Sequence, residues 1–157
     1  MPFWDKELQE ETMISVKETD IQRIEQAVNG SLPVRYLEQI REQNGGAPEA
    51  MAVMVEFENT WSDEESGLHL PLRTMSSLTF ERYLDELSVL REWDVEGNVM
   101  MFAEGEGSYF WYFRFTEAAE PTVWCLDISV AETHFVATTY DEWLTKLSTD
   151  VPEVVES

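Results

Sequence analysis

The residues best suited to nucleophilic chemistry in this chain are one cysteine, Cys125, and two histidines, His69 and His134. Cys125 with either histidine would supply a thiolate and its general base. However, Cys125 lies in an apolar run, Val-Trp-Cys-Leu, where a cysteine is usually a small buried side chain. The three residues also lack the C-x-x-C or H-x-x-x-H spacing of a zinc site. We therefore expect no catalytic residue, no metal site and no cofactor.

Carboxylates are the other candidates for chemistry, since two of them can act as general acid and general base. With 32 Asp and Glu in 157 residues, however, close pairs arise by chance and do not indicate an active site. The segment 94–98 (DVEGN) contains part of a calcium-binding loop, but the rest of that ligand pattern is absent. It favours instead a turn in which Gly97 or Asn98 has a positive φ. An enzyme is therefore the least favoured class of protein.

The acidic balance points to binding rather than catalysis. The chain has 10 Lys and Arg against 32 Asp and Glu, a formal net charge of −22. This charge excludes a protein that follows nucleic-acid phosphates, and it disfavours an anionic membrane surface. A basic protein is the natural complement, because opposite charges speed the encounter. We expect a monomer, with an oligomer left open.

Several features of the sequence favour a cytoplasmic protein. The longest stretch without a charged residue is residues 26–34, which is far shorter than the roughly 20 residues needed to span a bilayer. The first residues lack the basic start and apolar run of a secretory signal. A single cysteine cannot form a disulfide within the chain.

Two groups of residues are candidates for contact with a partner. In the aromatic segment Tyr109–Phe115, alternation places Phe110, Tyr112 and Arg114 on one face, and Tyr and Arg are favoured in interfaces. The acidic loops supply the second group, which comprises Trp61, Asp63, Glu64, Glu65, Asp94, Glu96, Glu104 and Glu106. For the aromatic segment, the alternative is a central strand that helices bury. For the acidic loops, the alternative is solvated charge that keeps the protein soluble.

The periodicity predicts the elements that position these residues. A capping box at Thr19 and Gln22 begins a helix that ends at Asn29-Gly30, and a second helix runs from 31–33 to the glycines at 45–46. Strands are predicted at 51–57, 68–72, 99–103, 109–115, 122–127 and 133–137. Further helices are predicted at 77–90 and after a cap at Thr138 or Thr139, where Tyr140, Trp143, Leu144 and Leu147 form an apolar stripe.

This order of elements predicts one α+β domain, with a mainly antiparallel twisted sheet packed against about four helices. The domain is expected over residues 18–148. Residues 1–17 form an acidic N-terminal segment, which we expect to be a short helix against the core. Residues 149–157 are expected to be a flexible C-terminal tail.

Short motifs near both ends of the chain are similar to those of one known family. They are Ile21-x-x-Ile24-Glu25, Leu32-Pro33 with Tyr36 and Leu37, Asn44-Gly45-Gly46, Asp94-x-x-Gly97-Asn98, Val123-Trp124 and the segment 136–144 (VATTYDEWL). Together they resemble the SUKH superfamily (Smi/Knr-like) over residues 18–148. The usual family ending is closer to Ala-x-Ser-Phe-x-x-Phe-Leu, where this chain has Thr139, Tyr140 and Trp143.

The resemblance implies a non-enzymatic binding domain. Bacterial members of the family include immunity proteins that neutralise polymorphic toxins, often nucleases, and fungal members include a regulator of cell-wall synthesis. The first hypothesis is therefore an immunity protein whose partner is a basic toxin domain, in which acidic loops imitate nucleic-acid phosphates and Trp61 is an anchor. The alternative is a signalling or scaffold module of the cell-wall-regulator type, with no toxin partner.

Overall fold

The computed structural model describes residues 3–5, 14–59, 61–62, 65, 68–105 and 108–149. Within this part of the chain there are four helices and eight strands. The helices are α1 (Glu18–Val28), α2 (Val34–Glu42), α3 (Phe80–Glu92) and α4 (Tyr140–Thr145). The strands are β1 (Ala52–Met54), β2 (His69–Pro71), β3 (Thr74–Met75), β4 (Asn98–Glu104), β5 (Tyr109–Phe115), β6 (Thr122–Asp127), β7 (Glu132–Ala137) and β8 (Leu147–Ser148). None of the helices in these residues is long and apolar enough to cross a bilayer.

The strands form two antiparallel sheets, so the predicted α+β fold class is confirmed. The larger sheet has five strands in the order β3-β4-β5-β6-β7, and the smaller has three in the order β2-β1-β8. Hairpins join β4 to β5, β5 to β6 and β6 to β7, which places the aromatic strand β5 at the centre. Pro71 lies in the edge strand β2, as its missing N–H requires.

The two faces of the five-stranded sheet are covered unequally. We call the side that carries Trp111 and Phe113 the inner face, and the side that carries Phe110 and Tyr112 the outer face. The predicted alternation is confirmed, since Tyr109, Trp111, Phe113 and Phe115 are all buried in the main core. The main core also contains buried residues of α1, α2 and α4. A smaller cluster on the outer face joins the end of α3 to β4, β5 and β6.

Trp4 brings the N-terminal segment into the core. Its side chain is fully buried, and the indole Nε1 donates a hydrogen bond to the Gln39 carbonyl at 3.1 Å. Backbone hydrogen bonds on either side join Asp5 to Ala47 at 2.9 Å and Glu49 to Phe3 at 2.8 Å. Most of the short helix predicted in residues 1–17 falls on residues 1–2 and 6–13, outside the described residues.

The Asn44-Gly45-Gly46 motif joins the end of α2 to the segment that leads into α3. The buried Asn44 amide accepts a hydrogen bond from the Leu78 N–H and donates one to the Leu78 carbonyl at 3.2 Å. Gly46 and Met75 exchange two backbone hydrogen bonds of 3.0 and 2.8 Å. At Gly45, where φ is +93°, an added Cβ would lie 2.7 Å from the Ser77 nitrogen. The motif is therefore a close backbone crossing that a larger residue cannot make.

Several predicted boundaries are wrong. The N-cap of α1 is Lys17, without a side-chain bond, so the Thr19 capping box does not form. Only Ala52–Met54 of the apolar run 51–57 is a strand, because the backbone bends at Glu56 and Phe57. Helix α4 ends at Thr145, and Leu147 lies in β8 instead of extending the helical stripe. The cap at Thr139 is confirmed, since its hydroxyl accepts from the Glu142 N–H at 3.1 Å.

The two hydrogen bonds between the Asn44 side chain and the Leu78 backbone, which we call the Asn44 clamp, provide a stability test. Asn44→Ala would leave a buried N–H and a buried carbonyl of Leu78 without partners, and we expect the free energy of unfolding to fall by about 2–4 kcal/mol. Asn98→Ala, at an exposed position, should change it by less than about 0.5 kcal/mol. Urea unfolding followed by tryptophan fluorescence measures both. Equal losses in the two variants would contradict the clamp.

Candidate partner-binding surface

Trp61 is held outward by a tight hydrogen-bonded turn. The side-chain oxygen of Asn59 accepts hydrogen bonds from the Trp61 N–H at 2.8 Å and the Ser62 N–H at 2.9 Å. Such a turn, closed by an asparagine side chain, fixes the backbone locally. The Trp61 side chain nevertheless remains 41% exposed. A large aromatic residue is therefore exposed next to backbone groups of residues 61 and 62 that are already hydrogen-bonded.

Ser62 ties this turn to the small sheet. The Ser62 hydroxyl is buried, donates to the His69 carbonyl at 2.9 Å and accepts from the His69 N–H at 2.8 Å. Because His69 lies in β2, the turn is attached to an ordered strand rather than to another loop. Ordering Trp61 on binding would therefore cost little additional backbone entropy.

The outer face carries a second aromatic group. The Arg114 guanidinium lies 5.1 Å from the ring centroid of Trp124, and the Trp124 ring meets Phe135 edge to face at 5.6 Å. Phe135 is 47% exposed, while Phe110, Arg114 and Trp124 are half-buried. The end of α3 packs against β4, β5 and Leu126 of β6, whereas Thr133 and Phe135 of β7 are exposed, so the outer face is open to solvent at its β7 edge.

Tyr112 differs from its two predicted neighbours. It is fully buried in the outer-face cluster, beside Leu90, Val95 and Leu126. Burial raises the pKa of its phenol, and the nearby Arg114 partly opposes this effect. Tyr112 therefore supports the outer face from within, whereas Phe110 and Arg114 reach its surface.

Two arginines fix the loop that carries Asp94 and Glu96. Arg91 donates to the carbonyls of Val95 and Gly97 at 2.9 Å each, and Arg114 donates to the Glu96 carbonyl at 3.3 Å. Gly97 has φ +88°, which confirms the predicted turn, and Asp94 has φ +63°. Both carboxylates are exposed. The arginines are bound to main-chain oxygens, so they hold the loop through its backbone.

Glu104 lies elsewhere, near a partly buried carboxylate on α3. Glu86 accepts a hydrogen bond of 2.6 Å from the Ser76 hydroxyl and lies 3.7 Å from Arg82. Burial raises the pKa of Glu86 to about 7, against the opposing effects of Ser76 and Arg82, and Glu104 raises it further. The burial and contacts of Glu86 explain its raised pKa, so no bound ligand is needed to explain it.

The structure thus divides the predicted residues among three places. Phe110, Arg114, Asp94 and Glu96 lie around the outer face, Glu104 lies beside β3, and Trp61 and the exposed Glu65 lie in the loop before β2. The positions of Asp63, Glu64 and Glu106 lie outside the described residues. Trp124 and Phe135 were missed, because the strand register that pairs Tyr112 with Trp124 and Trp124 with Phe135 is needed to place both on the face of Phe110.

The possible cysteine nucleophile is brought beside a histidine but is poorly suited to react. Cys125 and His134 are directly opposite one another on β6 and β7. Burial raises the pKa of the Cys125 thiol well above its ordinary value, and Asp127 adds to this effect, so the thiolate is disfavoured. The His134 ring is instead stacked on Phe57 at 4.0 Å and lies 3.5 Å from Glu132. Across the described residues, no group of three or more His, Cys, Asp and Glu could hold a metal ion.

A groove of about 530 Å³ lies on another side of the domain, beside α2 and α4. Phe3, Ala50, Leu144 and Leu147 supply its apolar lining. Glu38, Glu42, Glu49 and Arg35 supply its charged lining. Because Arg35 lies 3.5 Å from Glu38, the charge of one glutamate is already partly offset. The groove is a second place where an apolar and acidic surface coincide.

Comparison with known proteins identifies a family. The family model described as "SMI1 / KNR4 family (SUKH-1)" matches residues 15–146, which is most of the chain. No curated protein and no solved structure matches the sequence. The matched region begins before α1 and ends after α4, so it includes both sheets apart from β8.

The raised pKa of Glu86 predicts a specific dependence of stability on pH. A carboxyl whose pKa is raised on folding stabilises the fold while it is protonated, and this contribution is lost as the pH rises from about 4.5 to about 7. Glu86→Gln should therefore become more stable than the wild type above this window, by up to about 3 kcal/mol.

Urea unfolding at several pH values measures this effect. Glu81→Gln removes an exposed carboxylate from the first turn of the same helix and is the matched control for lost negative charge. A stability difference between Glu86→Gln and Glu81→Gln that does not change with pH would contradict the assignment.

Proposed function

The chain belongs to the SMI1/KNR4 family (SUKH-1), and from this membership we propose that it is a non-enzymatic, cytoplasmic protein-binding domain that neutralises a basic toxin. The resemblance to immunity proteins supports the class of function. The net charge of −22 supports the choice of a basic partner and is the observation that carries the proposal. A nuclease domain is one such partner, because its active site is built to receive phosphate charge.

The charge is available to a partner because it is not neutralised within the chain. Ten Lys and Arg are too few to pair with most of the 32 Asp and Glu. Two of the cations, Arg91 and Arg114, bind backbone carbonyls in the loop that carries Asp94 and Glu96. The carboxylates of that loop are exposed, and a cationic surface would replace their water with closer countercharges.

Trp61 supplies the apolar part of the proposed interface. Interfaces depend on a few desolvated aromatic anchors, and charged groups around them mainly guide the encounter. The turn closed by Asn59 and Ser62 presents Trp61 in a fixed backbone conformation. Asp63, Glu64 and Glu65 follow it in the sequence, so the proposed anchor is next to acidic residues.

A regulatory scaffold is the second candidate function. The matching family model carries the SMI1/KNR4 name, and fungal relatives implied by the resemblance act in the control of cell-wall synthesis. The same acidic surface would then bind a basic regulatory protein. The two candidates differ in whether the partner is harmful to the cell when this chain is missing.

Capture of the partner followed by a growth assay separates these functions. The purified chain is used to capture proteins from its source organism, and mass spectrometry identifies them. For an immunity protein, we expect a basic protein that stops bacterial growth when expressed alone and permits growth when co-expressed with this chain. A captured basic protein that does not affect growth supports the scaffold function, and an acidic partner contradicts both.

Binding kinetics should separate the roles of charge and of Trp61. Added salt and Glu65→Lys should each reduce the association rate and leave dissociation nearly unchanged, since charges act mainly on the encounter. Trp61→Ala should speed dissociation by about tenfold or more, as expected for an anchor worth roughly 2 kcal/mol. Surface plasmon resonance with the captured partner measures both rates.

Two controls match these changes on α3. Asp85→Lys reverses an exposed charge there, and Leu84→Ala truncates a side chain that is 46% exposed, close to the exposure of Trp61. Both should leave dissociation unchanged, and Asp85→Lys should reduce association less than Glu65→Lys. An association rate that does not depend on salt would contradict the electrostatic part of the proposal.

A further inference from the structure

Strand β7 is an exposed edge of the five-stranded sheet. It pairs with β6 on one side and is the last strand in the order. Edge strands are normally protected by charged side chains, Pro, β-bulges or short length, because their free backbone groups can pair with another chain. The six residues of β7 (ETHFVA) contain no Lys, Arg or Pro, and Glu132 at the first position is the one charged residue. The register with β6 shifts only between Phe135 and Ala137, so Glu132–Phe135 pair regularly. Glu132, Thr133 and Phe135 are exposed, so the first part of the strand is accessible.

Aromatic side chains flank this edge on both sides. Phe135 lies against Trp124 on the outer face, with ring centroids 5.6 Å apart. His134 points to the opposite face and stacks on Phe57 at 4.0 Å, with an angle of 11° between the rings. The Asn59 amide donates to the Phe57 carbonyl at 3.3 Å, which connects this stack to the turn that carries Trp61. A strand added to β7 would therefore find apolar surface for alternate side chains on each face.

The charge around this edge is mainly negative, and the cation nearest to the Trp124–Phe135 pair, Arg114, lies against the Trp124 ring. The sequence contains no Lys or Arg between Met51 and Ser62 or between Asp127 and Thr139. Glu56, Glu58 and Glu132 are exposed within these two segments. A second copy of the chain would bring another charge of −22 to the same edge and be repelled. The edge is therefore complementary to a basic extended segment.

We propose that the basic partner docks by adding an extended segment as a further strand alongside β7, between the Trp124–Phe135 pair and the Phe57–His134 stack. This inference rests on the proposed function for the identity of the partner, and it adds the surface and the mode of binding. Main-chain hydrogen bonds would supply part of the affinity, and the side chains on either face would supply selectivity. Lysine or arginine residues of the segment would pair with Glu132 and the glutamates of the neighbouring loop.

A synthetic peptide that alternates lysine with valine tests the surface without the natural partner. In a titration of the full chain followed by amide NMR, we expect shifts concentrated in residues 132–137 and in the loop from Phe57 to Ser62. Amide hydrogen exchange in β7 should slow when the peptide is bound. A peptide with glutamate in place of lysine should not bind.

Substitutions at Phe135 separate charge from apolar contact. Phe135→Lys should weaken the peptide by about tenfold or more, and Phe135→Glu should weaken it less, because it loses the same contact but attracts the lysines. Leu84→Lys is the matched control, since Leu84 is 46% exposed on α3 compared with 47% for Phe135, and it should change binding by less than about twofold. Circular dichroism verifies that all three variants fold.

Other outcomes would overturn the inference. These are no peptide binding, shifts centred on the groove lined by Glu38 and Leu144, equal weakening by Phe135→Lys and Leu84→Lys, or a concentration-dependent dimer that protects β7. Failure of the proposed function is seen separately, because it depends on the captured protein and the growth assay. The peptide can bind β7 whether or not that captured protein is a toxin.

Discussion

The fold depends on an aromatic cluster that joins the centre of the large sheet to two helices. Phe102 and Phe113 stack on the inner face with centroids 4.2 Å apart, and Tyr140 and Trp143 of α4 close over them. Tyr36 of α2 meets Phe113 edge to face at 5.2 Å. Gln39 extends the cluster, because it accepts hydrogen bonds from Trp4 through its carbonyl and from Tyr140 through its side chain. Four distant parts of the sequence therefore meet at this one centre, namely Trp4, α2, the β4–β5 pair and α4.

Such a core allows the surface to carry an unusual charge. Mutual repulsion among carboxylates opposes the compact state, and large buried aromatic side chains provide the compensating apolar burial. Some of the few cations do not neutralise carboxylates. Arg41 pairs with Glu18 at 2.9 Å, but Arg91 and Arg114 bind backbone carbonyls of the loop before β4. These two arginines hold the backbone of that loop and leave the carboxylates of Asp94 and Glu96 exposed. The acidity is thus compatible with a folded domain and remains available for binding.

Local sequence signals predicted most of the elements, but long-range contacts decided where some of them end. The alternation in β5 and the Thr139 cap depend on neighbouring residues, and both are confirmed. The short strands β3 and β8 escaped prediction because their pairing partners, β4 and β1, are distant in sequence. The burial of Tyr112 likewise depends on α3, whose end covers that part of the sheet. For the candidate site, composition predicted acidic and aromatic residues, but only the fold separates an exposed Phe135 from a buried Tyr112.

The unequal covering of the sheet links stability to the proposed binding. Helices cover the inner face, and the end of α3 covers the outer face from β4 to Leu126 of β6, so the open part of the sheet lies at β7. Another helix at this place would have covered the aromatic surface formed by Trp124 and Phe135. In its place, Trp124 and Phe135 pack on one another and Arg114 covers the Trp124 ring, which reduces the cost of leaving them in water. In a complex with a basic extended segment, the cations of the partner would pair with exposed carboxylates, and its backbone would pair with the edge strand β7.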